Sequence, residues 1–269
     1  NAFTDSEVRL METLAASMSV ALENARLWAE EHRYRQVLEH EFEVGRDIQQ
    51  GFLPETIPQP AGWEIATLLQ PAREVAGDFY DVFRLPNGRL ALVIADVCDK
   101  GLGAALFMTL VRSLLRAVSN LDLYTGVEDR TRISCGERLK RAVCFINNYI
   151  EENHGKTGMF ATMFIAFLDT HTGTFKYVNC GHIPPLLVSP EGKLRALPLT
   201  GPAVGAIHNP DFSVLEETLQ PGEWLFAYTD GLTDAENVDG EYFTPARLLP
   251  VLTSCESPSK LVEEVHSSV

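Results

Sequence analysis

Residues 91–108 read ALVIADVCDKGLGAALFM, and the fold follows from how this stretch changes character. The run from Arg89 to Val97 is short, apolar and rich in β-branched residues, so it reads as a buried strand. It stops abruptly at Asp96; Asp99, Lys100 and Gly101 follow, and a helical pattern begins, with Leu106, Leu110, Leu114 and Val118 at steps of four. Upstream, WEIATLLQ and DVFRL are β-like, and LPNG reads as the turn of a hairpin into the 89–97 strand. Downstream, 136–150 is helical. MFATMFIAFLD, THTG and TFKYVNCG then form strand, turn and strand, an order repeated by PPLLV, SPEGK and LRAL and again by FSVLEETL, PGEW and LFAYTD. Helical patterns at Pro245–Leu252 and Pro258–His266 close the chain. Hairpin turns imply antiparallel pairing, and clustered helices argue against a doubly wound parallel sheet. The expectation is an α+β fold in which two antiparallel sheets are flanked by helices.

The chain has 269 residues and a formal net charge of −15. A surface that negative repels phosphate backbones and anionic lipid, which disfavours nucleic-acid and membrane partners. No apolar run is read as reaching the roughly 20 residues of a membrane span. Cys98, Cys135, Cys144, Cys180 and Cys255 are scattered, never spaced CxxC, and read as small buried residues in a reducing cytoplasm. The first residues, NAFTDSEVRL, lack a signal-peptide pattern and read as cut from a longer chain.

Residues 1–53 read as a helical signalling segment and 54–269 as a separate domain. Thr4 and Glu7 have capping-box spacing, and Phe3 and Val8 that of a hydrophobic staple. Met11, Leu14, Met18, Ala21, Ala25 and Trp28 then step by three and four. This pattern suits either a helix lying on its own domain or the seam of a parallel dimer. EEHRYR interrupts the seam, and a second stripe (Leu38, Val44, Ile48, Phe52) ends at Pro54.

Three aspartate-bearing turns carry the chemistry: AGDFYD with Asp78 and Asp81, IADVCDKG with Asp96 and Asp99, and YTDGLTDAEN with Asp230 and Asp234. Each alone is an ordinary turn. Together they would set carboxylates at the edges of sheets, where their mutual repulsion calls for a cation. Oxygen ligands select Mg²⁺ or Mn²⁺. Two such ions sharing a carboxylate make a hydrolytic centre for phosphate esters.

EVAGDFYDVF, ALVIADVCDKGLGAALFM, FATMFIAFLD, YVNCGHIPPLLV, GPAVGAI and LQPGEWLFAYTDGLTDAENVDGEYF, in this order, resemble the stage II sporulation protein E branch of the PPM (protein phosphatase 2C-like) phosphatases. The resemblance runs from about Gln49 onward. It implies a central antiparallel β-sandwich with helices on both outer faces. It implies two Mn²⁺ or Mg²⁺ ions bridged by Asp96, with the Val97 carbonyl beside it and Asp230 on the second ion. Asp78 would orient water, Gly77 would let backbone approach the site closely, and Arg73 would bind phosphate. The implied activity is removal of phosphate from phosphoserine or phosphothreonine on a STAS-type anti-anti-sigma protein. The alternative is an inactive module of the same fold that binds a partner. Two departures stand out. Val97, Cys98 and Asp99 occupy the place where a eukaryotic relative carries a histidine, and the family's final aspartate-bearing strand is expected to be missing before Val269. His182, in CGHIPP, matches a structural turn rather than a base. LMETLAASMSVALENARLWAE resembles the last helix of a GAF-type sensor domain.

Overall fold

The structure, a computed structural model, describes residues 3–71, 75–120, 133–236, 240–255 and 257–268. It divides into two compact units, 1–47 and 48–269. The first unit is most of one helix, α1, which runs unbroken from Asp5 to Gln50. Its capping box is formed: Thr4 N–H donates to Glu7 Oε2 at 2.8 Å, and Glu7 N–H donates to Thr4 Oγ1 at 3.4 Å. The polar EEHRYR stretch interrupts the apolar seam but not the helix. Leu10, Met11, Leu14, Met18 and Trp28 are all exposed.

In the second unit, β1 (Phe79–Arg84), β2 (Leu90–Val97), β3 (Ala161–Leu168), β4 (Thr174–Cys180) and β7 (Leu215–Thr218) form one sheet in the order β1-β2-β3-β4-β7. A second sheet has the order β6-β5-β8, from β5 (Leu186–Val188), β6 (Leu194–Ala196) and β8 (Trp224–Phe226). Every pairing between these strands is antiparallel. Side chains alternate faces along a strand, and here the alternation sorts residues into layers. Ala91, Val93, Ala95 and Val97 of β2, with Met163, Ile165 and Phe167 of β3, pack on α2 (Leu102–Asn120) and α3 (Cys135–His154). The intervening Leu90, Phe164, Ala166 and Leu168 pack with Leu187 and Leu225 of the second sheet. The outer face of that sheet, Leu186, Trp224 and Phe226, meets α5 (Pro245–Ser254) and α6 (Pro258–Ser268). The result is the expected sandwich, with a helical layer on each outer face. Leu139 and Ile146 of α3 are fully buried in it, and each such side chain stabilises by about 1.5–3 kcal/mol.

Two expectations are corrected. PGEW does not close a hairpin: β7 pairs with β4 in the first sheet and β8 with β5 in the second, so this turn carries the chain between sheets. Leu102–Ser119 does reach the length and apolarity of a membrane span, with mean hydropathy 1.4 over 18 residues. It lies within α2, whose Phe107, Met108, Val111 and Leu115 belong to the core between helix and sheet.

Candidate active site

The face alternation that builds the core also aims the carboxylates. Asp96 is the penultimate residue of β2 and shares its face with Leu90, Leu92 and Ile94, which look toward the second sheet. Its partner across the ladder is Thr162. Asp78 precedes β1 by one residue. Asp230 opens α4 (Asp230–Thr233), four residues after β8 ends. The three therefore meet where the ends of strands from both sheets come together.

Asp78 Oδ2 accepts a hydrogen bond from Thr229 Oγ1 at 2.6 Å, and a Cβ on Gly231 would stand 3.4 Å from the same oxygen. The Asp78 carboxyl also lies within hydrogen-bonding reach of Asp96. Burial, that close approach, and the charges of Asp78 and Asp230 together push Asp96 up to about 7. Burial and the charges of Asp78 and Asp234 likewise raise Asp230. Lys100 opposes both shifts, so its positive charge lies near the same anionic cluster. Two carboxyl groups close enough to share a proton, with a third carboxylate nearby, are the oxygen donors a hard divalent cation takes. Asp78, Asp96, Asp230 and the Val97 carbonyl fit such an ion by donor type and charge. Among the described residues, however, no three His, Cys, Asp or Glu side chains are drawn tightly enough to form a closed ligand set.

Gly77 presses against this site from behind: a Cβ there would stand 3.0 Å from the Val97 carbonyl oxygen and 3.3 Å from Ala104 Cβ. Asp81, named with Asp78 in the same motif, points the other way. It is completely buried under α2, where Arg116 donates to both of its oxygens at 2.6 Å. Arg112 Nε lies 3.0 Å from Asp81 Oδ2 without hydrogen-bond alignment. Arg73 lies outside the described residues.

In the β2–α2 turn, Asp99 holds φ +76 and accepts from Lys100 N–H at 2.8 Å. Cys98 continues the β2–β3 pairing, its N–H donating to Phe160 O at 3.0 Å. His182 is 2% exposed; its Nδ1 lies 3.0 Å from Thr162 Oγ1, and its N–H donates to Asn179 Oδ1 at 2.9 Å. Burial pushes its pKa down to about 4, so it is neutral. Sequence reasoning passed over Thr229, although a hydroxyl directly before the Asp230-Gly231 turn was a usable signal. It also treated Gln49 only as a boundary. Gln49 bonds the backbone of Ala76 twice.

The family model for stage II sporulation protein E matches residues 86–269. Protein IcfG of Synechocystis sp. is 42% identical over 226 residues, which are 80% of this chain and 36% of that protein. Phosphoserine phosphatase RsbU of Bacillus subtilis is 25% identical over 237 residues, 87% of this chain and 66% of that protein. The chain thus spans less than two thirds of either relative. Among solved structures, the SiaA-PP2C domain of Pseudomonas aeruginosa superposes with a TM-score of 0.65 at 16% identity, over 87% of this chain and 89% of that one, a likeness of fold. With a family model matched over more than half its length, this chain belongs to the stage II sporulation protein E family, and its fold is that of a PP2C domain.

Proposed function

We propose that residues 54–269 form a metal-dependent protein serine/threonine phosphatase domain, and that residues 1–53 are the linker through which a GAF-type sensor acts on it. The observation that carries the reading is the convergence of Asp78, Asp96 and Asp230, with Asp96 pushed up to about 7. Mn²⁺ or Mg²⁺ held by Asp96, the Val97 carbonyl and Asp230 would supply a polarised water and a clamp for phosphate oxygens. The rest falls to the chain itself. Asp78, oriented by the Thr229 hydroxyl, directs the attacking water by accepting its proton in a hydrogen bond. Lys100 offers positive charge to the phosphoryl group at the mouth of an otherwise anionic site. Arg73 is proposed as a second phosphate contact. The substrate class is a phosphoserine or phosphothreonine on a STAS-type regulatory protein; the name of RsbU, a phosphoserine phosphatase, supports it. The exposed α1 seam is proposed to pair two copies in parallel.

The looseness of the ligand set favours a second reading, a weak or inactive module that works by binding its partner. Mn²⁺-dependent release of phosphate from p-nitrophenyl phosphate and from a phosphorylated STAS protein decides between them. Metal-dependent turnover supports the enzyme, and partner binding without turnover supports the module.

A further inference from the structure

The geometry points to Gln49 as a positioning residue for the candidate metal site, an inference that rests on the reading of Asp78, Asp96 and Val97 given above. Gln49 lies in the last turn of α1, inside the 48–269 unit, and its side chain is buried. Its Nε2 donates to Ala76 O at 2.6 Å, and its Oε1 accepts from Ala76 N–H at 3.0 Å. One planar amide thus satisfies both backbone groups of one residue, as a neighbouring strand would. Among charged or hydroxyl side chains none of similar length offers a donor and an acceptor in that fork. Ala76 precedes β1, so it needs a partner other than the β1–β2 ladder, which starts at Phe79.

The next two residues show what the pairing fixes. Gly77 sits so close to Val97 that a Cβ would stand 3.0 Å from its carbonyl oxygen. Asp78 then accepts from Thr229 Oγ1 at 2.6 Å and faces Asp96 closely enough to act on its charge. A shift of Ala76 moves Gly77 off Val97 and Asp78 off Asp96 together. Gln49 touches neither substrate nor ion; it acts by holding the Ala76–Asp78 turn. Supporting groups of this kind typically change metal affinity by roughly 10–100-fold when removed.

The test compares wild type, Gln49→Ala and Gln49→Glu in the full chain. Gln49→Glu keeps the length and the acceptor but loses the donor to Ala76 O. Amide hydrogen exchange is read first on metal-free protein, then Mn²⁺ affinity by calorimetry, then hydrolysis of p-nitrophenyl phosphate. The expected result is exchange at residues 76–78 faster by about tenfold or more, with β3 and β4 unchanged. Mn²⁺ binding should weaken by about tenfold in both variants. Unchanged exchange at 76–78, Mn²⁺ affinity within about twofold of wild type, or a uniform loss of protection across the strands would each overturn the role. A wild-type chain that binds no Mn²⁺ overturns the phosphatase reading instead, and the metal-free exchange still decides whether Gln49 holds the turn.

Discussion

Asp96 is pushed up to about 7 from an ordinary value of 3.8, first by burial and then by Asp78 and Asp230. The folded metal-free chain therefore holds a proton that the unfolded chain has already released. The stability this contributes is fully present below the unfolded value and is lost as pH rises through the folded one. Thermal unfolding of metal-free protein should show stability declining from about pH 4 to 7. Asp96→Asn should flatten that slope and raise the melting temperature at pH 7. Because the ion must displace the proton, Mn²⁺ affinity should fall by up to about tenfold per pH unit below 7. Asp81 makes the contrast: Asp81→Ala leaves Arg112 buried without its counter-ion, so it should cost about 3–5 kcal/mol of stability. A loss below about 1 kcal/mol by denaturant titration would show that the pair is not structural. The sequence showed both aspartates of AGDFYD but not their division of labour. That depends on their separation by three positions, which sends Asp78 toward the second sheet's strand ends and Asp81 under α2.

Elements were legible where the turn chemistry is local. LPNG, THTG and SPEGK close hairpins, with Gly88, Gly173 and Gly192 at φ +82, +75 and +76. Gly173 adds a packing constraint: a Cβ there would stand 2.5 Å from the Leu219 carbonyl oxygen. Gly173→Ala should therefore destabilise by more than about 1 kcal/mol, read as a lower denaturant midpoint at unchanged slope. PGEW was misread because its glycine, at φ +86, serves a turn between sheets as well as it serves a hairpin. Only the distant pairing of β8 with β5 reveals which. α1 was legible from its cap and stripe, but its pairing partner was not, because an exposed seam has the same pattern whichever surface covers it. Placing aspartate at Met18, which is exposed on that seam, should turn dimers into monomers in sedimentation. A wild-type chain already monomeric at the same concentration would end the dimer proposal.

At the scale of the molecule, two sheets and their outer helices hold the ends of β1, β2 and β8 together, and the site is a consequence of that closure. The α+β sandwich was readable because hairpins and helices occur in separate runs. The meeting of three distant aspartates was not readable from spacing: Asp78 and Asp230 are joined through Thr229, which is 151 residues from Asp78 in the chain. Resemblance to the family supplied that grouping, and the layers explain it. The most direct test of the metal site is Mn²⁺-dependent phosphate release by the wild-type chain and by Asp96→Asn, with circular dichroism to verify the fold. The expected result is metal-dependent turnover in the wild type and a loss of at least about a hundredfold in a folded Asp96→Asn chain. Turnover by Asp96→Asn within about tenfold of wild type, or turnover indifferent to the metal, would contradict it.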